Sequence, residues 1–133
     1  MVTKLIQTKL KTESQRGNCH PTAIACLLGL ENPEEMLQFQ EYFDSEDILW
    51  IDKLNDWLEE RGYELDYLSG HQFDDSIYIV SGKTERETSH CCLYKNGKLW
   101  HDVHPSQSGL LTEKNFSTIV KTQVSEGENK NFV

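Results

Sequence analysis

The sequence is short of basic side chains: 13 Lys and Arg stand against 22 Asp and Glu, for a net charge of −9 over 133 residues. That balance argues against a general-purpose nucleic-acid binder, because phosphate contacts need clustered Lys and Arg. Paired cysteine motifs are missing as well. The four (Cys19, Cys26, Cys91 and Cys92) form no C-x-x-C pair, which argues against a disulfide framework. Long apolar runs are missing too. The opening Met1–Lys11 has only two apolar residues in a row and reads as no secretory leader, and nowhere do 18 apolar residues follow one another. These absences predict no membrane span, free thiols and a reducing, cytoplasmic setting. Neither an internal repeat nor a low-complexity linker divides the chain, so one domain over 1–133 is expected, with a loose polar tail at 125–133.

Thirteen aromatic residues, three of them Trp, supply material for a packed core. The acidity, however, is concentrated. Residues 31–75 carry 15 acidic and 2 basic side chains, and the flanking segments together sum to +4. The acidic block has two helix signals. Asn32-Pro33-Glu34-Glu35 offers a cap, a first-turn proline and negative charge at the positive end of a helix dipole. Ser45 precedes a longer amphipathic stretch, about Glu46 to Arg61, that Gly62 ends.

Ahead of that block, Lys4–Leu10 reads as an edge strand. Cys19-His-Pro-Thr-Ala-Ile-Ala-Cys-Leu-Leu reads as a short buried helix stopped by Gly29, with Cys19 at its first turn. Behind it, Glu64–Leu68 and Ser76–Ser81 read as strands, and Phe116–Val120 as strand or helix. His90–Lys95 and Lys98–Val103 flank Asn96-Gly97, a strong hairpin signal. The fold class is therefore α+β: a Cys-bearing helix on an antiparallel sheet of four to six strands, with two acidic helices between.

Cys19 carries the chemistry. A thiol at a helix N-terminus faces unpaired N–H groups and the positive end of the dipole, which favour the thiolate. A nucleophilic thiol also needs a base and a group to orient it. His90 and Asp102 can supply both if the hairpin register puts them on one face. A two-residue turn pairs His90 with Val103 and turns Asp102 away. A three-residue turn with Gly97 left-handed pairs His90 with Asp102 directly, and that register is expected.

The order Cys19, His90, Asp102 resembles the papain-like cysteine peptidase superfamily. Gly17-Asn18-Cys19-His20-Pro21-Thr22-Ala23 is similar to the nucleophile segment of its compact bacterial members. Ser89-His90 and His101-Asp102-Val103-His104-Pro105-Ser106 are similar to segments of small bacterial and phage proteins. The resemblance spans roughly residues 13–106. It implies a thiol hydrolase cleaving an amide, isopeptide or ester bond, with Cys19 as nucleophile, His90 as base and Asp102 as orienter. The family usually places an oxyanion-hole Gln six residues before the Cys. Glu13 stands there, and Gln15 is the nearest substitute, so Gln15, Asn18 and His104 are the expected oxyanion or substrate contacts.

Other readings use the same residues. The triad could run acyl transfer, crosslinking or deamidation, or the chain could be a non-catalytic protein-binding module using its acidic face. Structural zinc sites pair ligands at short fixed spacing, and only His101-x-x-His104 comes near one, so no metal or cofactor is expected. The expected partner is a protein, a peptide or a small amide or ester. His20 and His71 are read as surface or cleft residues, and Cys26, Cys91 and Cys92 as small buried hydrophobes. Trp100 is read as sharing the His90 face, in the core.

Overall fold

The computed structural model describes residues 1–122; the tail expected to be loose, 125–133, lies outside them. Pro21 in the first turn and an all-apolar stretch behind it set helix α1, Cys19–Leu27, whose residues 21–26 are all buried. Gly29, with φ 72°, follows its end. Asn32 and Glu35 form a reciprocal capping box, but the helix it opens is a single 3-10 turn, Pro33–Glu35. A second 3-10 turn spans Phe39–Tyr42, and helix α2 spans only Trp50–Glu59. The two expected acidic helices thus reduce to one. Ser45 Oγ does accept from Ile48 N at 3.0 Å, yet it closes a turn ahead of the helix, which starts after Leu49. Leu54 and Leu58 are the buried face of α2, each contributing roughly 1.5–3 kcal/mol by burial. All fifteen acidic side chains of residues 31–75 are exposed.

Five strands follow: β1 Tyr63–Leu68, β2 Ile77–Lys83, β3 Ser89–Lys95, β4 Lys98–Asp102 and β5 Asn115–Lys121. They form one antiparallel sheet in the order β1-β5-β2-β3-β4. The helices cover one face, where Ile79, Cys91 and Leu93 join α1, Phe39 and α2 in the main core. The segment before α1 is not part of the sheet. It crosses as a strap between α1 and the end of β4, through Thr3 N to Cys26 O (3.0 Å) and Gln7 N to Val103 O (2.8 Å).

The hairpin corrects the expected register. Asn96 and Gly97 both have positive φ (53° and 78°), the signature of a two-residue type I′ turn, and Lys95 pairs with Lys98. A bulge then intervenes: Tyr94 faces Leu99, but Leu93 faces His101, leaving Trp100 extra. The cause is the strap. Trp100 packs against the main core with Lys4 Nζ 4.5 Å from its ring centroid, and His101 Nε2 bonds Leu5 O at 2.6 Å. Two consecutive side chains are engaged by one neighbour, so the strand gains a residue. Trp100 therefore belongs to the core and does not share the face of His90.

Candidate active site

The bulge brings Asp102 back to the face of β3 that carries His90 and Cys92. Asp102 stands opposite Cys92, one diagonal step from His90, and reaches it: His90 Nε2 and Asp102 Oδ1 are 2.7 Å apart, with both side chains buried. The backbone N–H groups of His104 (2.9 Å) and Gly109 (2.8 Å) also donate to the carboxylate. Burial alone raises a carboxyl pKa, but these three donors hold Asp102 far below its ordinary range. Burial likewise opposes charge on His90, and here Asp102, with Cys19 and Cys92, prevails, pushing the imidazole up to about 11. With Nε2 engaged by Asp102, Nδ1 is the nitrogen left for a thiol.

That thiol is Cys19. It is half-buried at the first turn of α1, packed against the core that contains Cys91. Hydrogen bonding to the Cys91 thiol, then to His90, overcomes burial and lowers the Cys19 pKa well below its ordinary value, helped by the charges of His90 and His20. Cys91 moves the opposite way, raised by its bond to Cys19 and by burial. We assign the negative charge of this pair to Cys19, because His90 faces it and a helix N-terminus lies beside it. Among the described residues no side chain caps that terminus, and Pro21 has no N–H. The N–H groups of Cys19 and His20 precede the first intrahelical bond and are available to an incoming oxygen. Both directions favour the charged pair, a Cys19 thiolate beside a His90 imidazolium. Cys26, by contrast, is a structural thiol: burial raises it to about 11, and its sulfur accepts from Leu5 N at 3.3 Å.

Cys19 and His90 open on a cleft of about 970 Å³. His104 lines it, its ring edge-on to His90 at 5.8 Å between centroids, and burial and nearby positive charge lower its pKa. His20 lines it too, packed edge-on to Phe39 and Trp50 at 5.0 and 5.9 Å. His71 lies elsewhere, between Tyr78 and Glu113.

Two expected contacts fall away. Gln15 borders a separate, smaller hollow, and its amide donates to Leu10 O at 2.8 Å. Asn18 is fully buried, with its amide bonded to Lys9 N, Thr8 Oγ1 and Gln38 Oε1; it anchors the strap and does not line the cleft. The buried carboxamide that does line the cleft is Gln7. It donates to Lys9 O at 2.8 Å, and its Oε1 has no partner among the described residues. Only its isolation as an amide between apolar Ile6 and the strap's Thr8 marks it in the sequence. Cys91 was also hidden, since a Cys inside an apolar strand reads as core.

One group of metal-ligand type exists among the described residues: His90, Cys92 and Asp102, with donor atoms within 4.8 Å of one another. Two ligands about 2.0–2.1 Å from a tetrahedral ion would stand roughly 3.3 Å apart. The 2.7 Å between His90 and Asp102 is instead a charge-assisted hydrogen bond. His101, bonded to Leu5 O, does not join His104 in a pair. No helix among the described residues is long and apolar enough to cross a membrane. Comparison with protein-family models, curated proteins and solved structures finds no match to this chain.

Proposed function

We propose that this protein is a thiol-dependent hydrolase of papain-like type, acting on an amide, isopeptide or ester carbonyl. The observation that carries the reading is the meeting of Cys19, at the open first turn of α1, with a buried His90 that Asp102 fixes at 2.7 Å. The Cys19 thiolate adds to the carbonyl carbon, and the developing oxyanion is met by the N–H groups of Cys19 and His20, with the Gln7 carboxamide nearby. His90 then donates its proton to the leaving nitrogen or oxygen as that bond breaks. In the second half, His90 takes a proton from water, the hydroxide adds to the thioester, and cleavage of the C–S bond restores the thiolate. Asp102 keeps the ring oriented and the imidazolium stable throughout. The open cleft admits water as acceptor. The four free thiols fit a cytoplasmic setting.

The test is the pH profile of Cys19 alkylation by iodoacetamide, located by peptide mapping, in wild type and His90→Ala. Reactivity should persist below pH 7 in the wild type and fall on the order of 10²-fold at pH 6 in the variant. An ordinary thiol profile centred near pH 8.5 in both proteins rules the reading out.

A further inference from the structure

The charge of the molecule and the charge of its cleft have opposite signs. The chain is at −9, and its fifteen exposed acidic groups between 31 and 75 dominate the outer surface. Yet Lys11, Lys83, Arg86 and Lys114 line the Cys19 cleft, and none of the four makes an ion pair among the described residues. A fifth cation, Arg16, is neutralised by Asp44, and Glu87 is the one acidic group in the lining. Two of the four stand next to the proposed chemistry. Lys83 pairs in the sheet with Ser89, just before His90, and its Nζ lies 3.5 Å from Ser89 Oγ. Arg86 reaches over the same rim to Ser106 and Ser108, at 3.3 Å each, alongside His104.

The four cations are exposed and make no ion pair among the described residues, so their charge is free to meet an anionic ligand in the cleft. We propose that the cleft selects an acidic peptide segment, binding Asp or Glu side chains that flank the scissile carbonyl. The inference rests on the thiol-hydrolase reading for the bond cleaved. A carbonyl must reach Cys19, which peptides offer and nucleic acids do not. The apolar rings of Phe43 and Trp50 in the same lining suit side chains of a peptide between its charges. The acidic groups of residues 31–75 are exposed and screened beyond about 8 Å at physiological salt, and Asp44, beside the lining, is already paired with Arg16. They do disfavour a long polyanion, which could not avoid them.

Protection of Cys19 from iodoacetamide provides the test, with decaglutamate, decalysine, a ten-nucleotide oligothymidylate and inorganic phosphate as competitors. Decaglutamate should slow alkylation about fivefold or more at low ionic strength, and lose that effect by about 0.5 M salt. Decalysine and phosphate should not protect. The second measurement is the ratio of iodoacetate to iodoacetamide rates. It should fall several-fold in a Lys83→Gln/Arg86→Gln/Lys114→Gln variant, and a ratio cancels any general loss of reactivity. Lys98→Gln, outside the cleft, should leave both rates alone. Failure of decaglutamate to protect, or equal protection by oligothymidylate or decalysine, overturns the proposal. The two readings fail separately: an ordinary pH profile with decaglutamate protection leaves the acidic-peptide site standing without the hydrolase. An activated thiol without protection leaves the hydrolase standing without the site.

Discussion

The sheet carries two histidine–carboxylate pairs of the same length, toward opposite ends of β2 and β3. His90–Asp102 and His71–Glu113 both measure 2.7 Å. In the first, the side chains are 4% and 0% exposed; in the second, 23% and 39%. Asp102 also takes two backbone N–H groups, and a thiol lies beyond its imidazole. His71 instead meets the Tyr78 hydroxyl at 2.8 Å and the edge of Phe116. Bond length therefore does not distinguish the proposed catalytic dyad from a surface clasp. What differs is the burial that excludes water, the number of donors on the carboxylate, and the third group on the far nitrogen.

Removing each carboxylate should separate the pairs most widely. Asp102→Ala leaves a buried imidazolium and two buried N–H groups without partners, and should cost about 3–5 kcal/mol of folding stability. Glu113→Ala removes a half-exposed, solvent-screened pair and should cost under about 1 kcal/mol. Urea unfolding measures both, and equal losses would erase the distinction. Reactivity sharpens it further. Asp102→Asn keeps the shape but not the charge, and should cut the Cys19 alkylation rate at pH 6 about tenfold to a hundredfold by lowering the His90 pKa. His71→Ala should leave that rate unchanged.

Cys91 supplies a smaller effect of the same kind. Hydrogen bonding to its thiol is the largest influence lowering the Cys19 pKa, so Cys91→Ala should move the Cys19 alkylation profile to higher pH. An unmoved alkylation profile would return Cys91 to the role of packing alone.

How much of this could be read in the sequence differs between the elements. The Cys-bearing helix and the β3–β4 hairpin were legible, because Pro21, Gly29 and Asn96-Gly97 are local signals. That Asp102 would reach His90 was legible in outcome but not in cause. The expected three-residue turn is a two-residue one, and the face is restored by a bulge at Trp100. The bulge depends on Lys4 and Leu5, almost a hundred residues away, which no turn rule contains. The same strap carries Gln7 into the cleft lining and ties Gln15 and Asn18 away from it, since residues near a cysteine in sequence need not surround it in space. Phe116–Val120 was ambiguous between helix and strand, and pairing with both β1 and β2 decides it. The cleft's positive lining was invisible, because Lys11, Lys83, Arg86 and Lys114 are scattered along the chain.

Acid should resolve the two pairs with the smallest effect. Asp102 and Glu113 both have depressed pKa values, Asp102 by much the more, through the His90 bond and two N–H donors. A carboxylate depressed on folding contributes stability that is fully present above its unfolded value, about 3.9 for Asp and 4.3 for Glu. That contribution is lost as pH falls through the folded value. The wild type should therefore lose stability steadily below about pH 4, and the loss should flatten in Asp102→Asn, which has no proton to take up there. Glu113→Gln should alter the acid limb by only a few tenths of a kcal/mol, because solvent already screens that pair. The measurement is urea midpoint against pH between 2 and 6 for the three proteins. If Glu113→Gln flattened the limb as much as Asp102→Asn, burial would not be what sets the two pairs apart.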